Sequence, residues 1–203
     1  MRDLDKALAD IMAIRSQIAA GTAFQGYGSA TIAATGGLAL VTATAQWLWL
    51  GDAPEPLSFF GSWVATAVLA MLLIGSEVVA RSRRHHAGLA DALIVNAVEI
   101  FLPAGAAGAL LGLVLLRFAP DLLWTLPGLW QLFVSLGLFA ALQALPRNVR
   151  WAAAWYFLAG LGTLAVAAEA RALSPWLMGL PFAVGQVLLA VLLHAADRGE
   201  PHA

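Results

Sequence analysis

Six apolar runs, each about 20 residues long, occupy most of this chain, and a helix of that length crosses the hydrocarbon core of a bilayer. The composition agrees, because 61% of the residues are hydrophobic and 11% are charged, against roughly 45–50% and about 25% in soluble domains. Lipid-exposed backbone must pair its own polar groups, and long runs without strict alternation favour helices over strands. The predicted spans are 28–50, 59–80, 92–116, 122–145, 151–170 and 176–195.

The connections between these runs are short, and several contain proline, as in GDAPEPLS after the first run and LPRNVR after the fourth. Short connections make consecutive helices antiparallel neighbours. We therefore predict one all-α unit, a polytopic membrane bundle of six transmembrane helices over residues 28–196, followed by a short polar tail at 197–203.

Residues 1–20 differ from the rest of the chain because they are amphipathic. Apolar residues return every three or four positions, as Leu4, Leu8, Ile11, Ile14 and Ile18 do, which is typical of a helix with one apolar face. We predict a cytoplasmic or interfacial helix here, which packs either on the membrane surface or on a partner helix.

Basic residues are distributed unevenly among the connections. Nine of the 11 Lys and Arg residues fall before the first span, after the second, after the fourth or in the tail. Cytoplasmic loops carry such an excess, so we predict a multi-pass protein with both termini in the cytoplasm, in the inner membrane if the source is bacterial. The nine are Arg2, Lys6, Arg15, Arg81, Arg83, Arg84, Arg147, Arg150 and Arg198, and the other two are Arg117 and Arg171.

Six polar residues lie within or beside the predicted spans, where a charged side chain is costly and marks a pathway or a buried pair. Asp91, Asn96 and Glu99 share an arc of about 140° on the third predicted helix, and we expect this stripe to face protein or water. Together the six define a candidate polar pathway or cytoplasmic vestibule. Glu77 has an alternative as an interfacial partner of Arg81 or Arg84, and Gln186 as an interhelical hydrogen-bond donor. The six are Glu77, Asp91, Asn96, Glu99, Gln186 and His194.

Small residues at helical spacing indicate two faces for close helix packing. The first span offers Ser29, Ala33 and Gly37, and the third offers Ala104, Gly108 and Gly112, just after the helix-distorting Pro103. Either face serves contact within the chain or between chains.

Further polar and aromatic residues fall near the predicted span boundaries and are interpreted as anchors at the level of the lipid headgroups. They are Gln46, Gln131, Gln143, Glu169, Trp47, Trp49, Trp63, Trp124, Trp151, Trp155 and Trp176.

No pattern in the sequence predicts a metal, a cofactor or a reaction. The chain has no cysteine, no Glu-x-x-His pair of the kind that binds di-iron in a bundle, and no recognised phosphate-loop, nucleophile-elbow or zinc-protease motif. Only His194 falls inside a span, whereas His85, His86 and His202 lie outside or at an edge. We expect no cofactor and no metal, and catalysis is not indicated.

Three functions remain open for such a chain. The first hypothesis is a non-catalytic structural, accessory or regulatory component of a membrane assembly, whose partners are the lipid bilayer and either itself or another membrane protein. The second is a small transporter or channel that uses the polar vestibule, and the third is an enzyme acting on lipid headgroups. A net charge of −1 argues against a nucleic-acid partner.

Overall fold

The computed structural model describes residues 28–51, 55–85, 90–142 and 145–199, with the side chains of 50, 78, 81–101 and 197–199 outside that description. Within these residues the protein is all-helical, with 92% helix and no strand, which confirms the predicted fold class at that level. The amphipathic segment 1–20 and the end of the polar tail lie outside the described residues. The helices are α1 (Ser29–Leu50), α2 (Pro56–His85), α3 (Ala90–Phe118), α4 (Leu126–Ala141), α5 (Arg150–Ala170) and α6 (Pro175–Gly199), and two short 3₁₀ turns cover Pro120–Thr125 and Arg147–Val149.

Four stretches are long and apolar enough to cross a membrane. A fifth apolar helix, Leu102–Phe118, is shorter within the described side chains. Helix α1 is also long enough, with 22 residues, but its threonines and Gln46 lower its mean hydropathy, so it is not one of the four. The four stretches are Pro56–Glu77, Pro120–Ala141, Arg147–Ala170 and Pro175–Ala196.

Consecutive helices run in opposite directions, and the first packs closely against the last. A Cβ atom added to Gly36 of α1 would lie 3.0 Å from Cβ of Gln186, whereas one added to Gly179 would lie 3.2 Å from the carbonyl oxygen of Ala39. Higher numbers on one helix therefore meet lower numbers on the other. We call the two ends of the bundle the Trp63 end, where α1 finishes, and the Glu77 end, where α1 begins.

Two main clusters of buried side chains fill the bundle. At the Glu77 end, Ile32 of α1 packs with Tyr156 of α5 and Leu193 of α6. At the Trp63 end, Phe59 and Trp63 of α2 pack against α1 and α6. A smaller cluster of Leu115, Leu123 and Leu126 joins α3 to the beginning of α4.

Helices α4 and α5 approach so closely that their backbones touch. A Cβ atom on Gly160 of α5 would lie 2.9 Å from the carbonyl oxygen of Gly128 on α4 and 2.9 Å from Cγ of Leu132. The same addition at Gly162, also on α5, would meet nothing within 4 Å. Only one of these two glycines is therefore required by packing.

We predict that Gly160→Ala lowers the free energy of unfolding by about 1–3 kcal/mol, because the backbone carbonyl of Gly128 cannot yield without moving α4. The control Gly162→Ala is expected to leave stability unchanged or to raise it by up to about 1 kcal/mol, since alanine is the better helix former. Thermal unfolding in detergent, followed by circular dichroism, measures both. Equal midpoints for the two variants would contradict the close contact.

Candidate functional site

Helix α6 contains a proline in its interior, and side chains of α4 and α5 form hydrogen bonds around that proline. Pro181 has no N–H, so the carbonyl of Leu177, four residues earlier, loses its normal helical donor. An unpaired carbonyl among apolar side chains is costly. A donor from another helix is therefore required at this position.

Gln131 of α4 supplies that donor. Its Nε2 atom donates to the carbonyl oxygen of Leu177 at 2.9 Å and to Oγ1 of Thr163 at 3.2 Å. The hydroxyl of Thr163, on α5, also lies 3.3 Å from the Leu177 oxygen. Gln131 is 0% exposed and Thr163 is 4% exposed, so water does not compete for these bonds. One polar cluster thus joins α4, α5 and α6.

Two aromatic side chains of α5 donate to further carbonyls of α6, at and just after the proline. The indole Nε1 of Trp155 donates to the carbonyl oxygen of Pro181 at 3.0 Å. The Tyr156 hydroxyl donates to the carbonyl oxygen of Phe182 at 3.3 Å and is hydrogen-bonded to the side chain of Gln186. Helix α6 is therefore held on both sides of Pro181 by side chains of its neighbours.

A second polar cluster joins α1 and α2 at the Trp63 end. Gln46 is 3% exposed. Its Nε2 donates to the carbonyl oxygen of Phe59 at 2.9 Å, and its Oε1 accepts from Trp63 Nε1 at 2.9 Å. Ser62 also contacts Gln46, and the hydroxyls of Thr42 and Thr66 lie 2.6 Å apart one turn deeper. These bonds fix the position of α2 relative to α1.

The interpretation of Gln46, Gln131 and Trp63 as interfacial anchors is wrong, because all three are buried. Trp155 is half-buried, and its indole donates to a carbonyl of the neighbouring helix α6. For Gln46 a signal existed, since it continues the face of Ala39 and Ala43 at helical spacing. For Gln131 the partner is 46 residues away, so no local pattern indicates it.

The predicted vestibule residues are only partly placed. Gln186 is half-buried, bonds to Tyr156 and packs against Gly36. His194 is exposed on α6. The side chains of Asp91, Asn96 and Glu99 lie outside the described residues. Their convergence stays a prediction.

The side chain of Glu77, on α2, lies beside the beginning of α1. A Cβ atom on Gly28 would overlap the carboxylate of Glu77, whose three outer atoms are the nearest neighbours of that position. Gly28 is the N-cap residue of α1. The carboxylate therefore lies at a helix N-terminus, where the partial positive charge favours an anion.

The predicted small-residue faces have different surroundings. On α3, Gly108 is buried and its carbonyl accepts from Trp130 Nε1 at 3.1 Å. A Cβ on Gly112 would lie 3.4 Å from Leu126. Ala104 is half-buried. This face contacts α4 within the chain.

On α1 the closest helix contact lies one residue away from the predicted face. Ser29 and Ala33 are half-buried, but Gly37 is exposed and has nothing within 4 Å of an added Cβ. Its neighbour Gly36 makes the contact with α6.

The groups that converge around Pro181 are amides, a hydroxyl, a phenol and an indole, which form neutral hydrogen bonds. Among the residues whose side chains are described, no three His, Asp or Glu side chains converge as a metal site would require. The arrangement suits interhelical bonding.

Comparison with protein-family models, with curated proteins and with solved structures finds no match for this chain.

We predict that the cost of removing Gln131 depends on Pro181. Gln131→Leu should lower the free energy of unfolding by about 1–3 kcal/mol, because the Leu177 carbonyl loses its main donor. In a Pro181→Ala background the new backbone N–H pairs with that carbonyl, so the cost should fall by about 0.5–1.5 kcal/mol.

Ser135→Ala is the matched control for this double-mutant cycle. Ser135 is also a fully buried donor on α4, but it bonds to the carbonyl oxygen of Ala153 at 2.8 Å. Its effect should add to that of Pro181→Ala without coupling. If Gln131→Leu is also additive with Pro181→Ala, the assigned role of Gln131 is wrong.

Proposed function

We propose that this protein is an integral membrane protein that acts as a non-catalytic structural, accessory or regulatory component of a membrane assembly. The observation that carries the proposal is the distribution of polar groups in the bundle. Polar side chains such as Gln46, Gln131 and Ser135 face inward and bond between helices, and aliphatic side chains face outward. Lipid is the solvent for which that inside-out arrangement is favourable.

Outward aliphatic residues run along several helices and support this assignment. Leu72 on α2, Leu110 on α3, Leu158 on α5 and Val191 on α6 are each 58% to 67% exposed. Water around so many large apolar side chains on one small bundle would favour aggregation. A bilayer removes that cost.

The sidedness of the protein follows from the alternation of the helices. The last residues of α2, the 3₁₀ turn at Arg147–Val149 and the first residue of α5 contain five arginine positions and lie at the Glu77 end, whereas Arg117 and Arg171 lie at the Trp63 end. Cytoplasmic ends carry the excess of positive charge. We therefore place the Glu77 end, with both termini, in the cytoplasm, and the protein in the inner membrane if its source is bacterial.

Helix α1 offers a surface for association. Its outward side presents Ala30, Ala34, Gly37 and Val41, all exposed in the single chain. Small residues on a lipid-facing side allow another helix to come close, and such contacts stabilise association in membranes. The partner is a second copy of this chain or another membrane protein.

The two rival functions gain less from the described contacts. A transport path through the middle of the bundle would need Gln186 to face it, but its side chain is engaged with Tyr156. Transport still predicts that Glu99→Gln abolishes flux in proteoliposomes. A lipid-headgroup enzyme predicts that divalent metals or lipids raise the thermal stability.

The association is tested by crosslinking in membranes, since a chain without cysteine needs no background removed. Gly37→Cys should give a disulfide-linked dimer, or a crosslink to a second protein, in native membranes treated with oxidant. Leu158→Cys, equally lipid-facing but on α5, should give neither. A protein that remains uncrosslinked at both positions and runs as a monomer in mild detergent would refute the proposed role.

A further inference from the structure

We propose that the part of α2 between Trp63 and Glu77 is a movable arm that pivots at the Trp63 end and is held at the other end by the contact of Glu77 with Gly28. This inference does not depend on the association proposed above. It rests on the uneven way in which α2 is attached to the bundle.

Burial along α2 is concentrated at its beginning. Phe59 is 0% exposed and Trp63 is 4% exposed, but no described side chain of α2 after Trp63 is fully buried. In the most apolar part of this helix 17% of residues are buried, against 33% to 44% in the other three apolar stretches. The neighbouring α1, in contrast, has buried residues at intervals along most of its length, from Ile32 to Gln46.

Hydrogen bonds attach the beginning of α2 to α1. Phe59, Ser62, Trp63 and Thr66 form them, and all four lie within residues 56–66. Phe60 adds an edge-on ring contact to Trp130 of α4, with centroids 5.7 Å apart. These contacts form a fixed pivot.

The far end of α2 meets α1 through Glu77. The carboxylate occupies the space beside Gly28 that any larger residue at position 28 would need. It lies at the N-terminus of α1, where a negative charge is favoured. Gly28 is buried and Glu77 is half-buried, so the contact is partly shielded from solvent.

A rigid helix held at one end converts a small tilt into a large displacement. The 14-residue step from Trp63 to Glu77 corresponds to about 21 Å of helix, so a tilt of about 10° moves the Glu77 end by about 4 Å. The apolar residues along the arm, such as Leu69 and Leu72, already face outward. Their environment changes little when the arm moves.

The arm is tested by distances between spin labels in the full-length protein in lipid nanodiscs. One pair, Leu72→Cys with Val191→Cys, reports the Glu77 end of α2 relative to α6. The other pair, Leu57→Cys with Leu180→Cys, reports the Trp63 end. All four positions are 50% to 63% exposed, so the labels should not disturb packing.

Glu77→Gln and Gly28→Ala are expected to add a population longer by about 2 Å at the first pair, because Leu72 lies only about 14 Å of helix beyond Trp63, and to leave the second pair unchanged. Ser76→Ala is the control, because that exposed hydroxyl bonds only within α2, to the carbonyl oxygen of Leu73 at 2.9 Å. It should change neither pair.

Two results would overturn the proposal. If neither Glu77→Gln nor Gly28→Ala changes the first pair, the contact does not hold α2. If both pairs broaden together, Glu77 supports the whole bundle and α2 is not a separate arm. Neither result bears on the crosslinking at Gly37, so the two proposals fail independently.

Discussion

An unpaired backbone carbonyl inside an apolar bundle costs several kcal/mol, and the described interior is organised around one that Pro181 creates. Gln131 and Thr163 bond to the carbonyl of Leu177, and Trp155 and Tyr156 bond to the carbonyls of Pro181 and Phe182 on α6. Those donors come from α4 and α5, so a proline in one helix determines the relative position of three. The close backbone contact of Gly128 with Gly160 brings α4 and α5 near enough for both to reach α6.

The remaining helices attach to this three-helix unit in different ways. Helix α1 packs against α6 through Gly36 and Gly179, where small residues replace side-chain interdigitation. Helix α3 contacts α4 through Gly108 and Gly112, with Trp130 donating to the carbonyl of Gly108. Helix α2 is fixed mainly near Trp63. The firmness of attachment therefore decreases from α6 towards α2, and this gradient is the reason to regard α2 as the element that moves.

The number and order of the helices were predictable because each apolar run is long enough to form one helix. The boundaries were less so. Helices α2 and α3 extend to Pro56–His85 and Ala90–Phe118, beyond the predicted spans, because residues such as Arg, Ala and Leu continue a helix after the apolar run has ended. At the start of the fourth run the chain first forms a 3₁₀ turn at Pro120–Thr125, which hydropathy does not distinguish from an α-helix.

The polar interior was the least predictable part. Gln46 and Gln131 are near the ends of their runs, and their depth depends on partners that only the tertiary arrangement supplies. The choice between Gly36 and Gly37 as the contact with α6 is similar, since the two differ by 100° around one helix and the sequence does not say where α6 lies. In contrast, Glu77 is a polar residue in an apolar run, which is a local signal, and it does mark a specific interhelical contact.

The central claim is that hydrocarbon surrounds this bundle, and spin-label accessibility along α2 tests it most directly. Nitroxides at Val64, Val68 and Leu72, each 44% to 63% exposed, would be compared with one at Glu55, an exposed residue just before α2, for collision with oxygen and with a water-soluble nickel chelate. In reconstituted bilayers, the account predicts strong broadening by oxygen and little by nickel at the three α2 positions, and strong broadening by nickel at Glu55. Nickel access at the three α2 positions equal to that of a water-exposed label would contradict it.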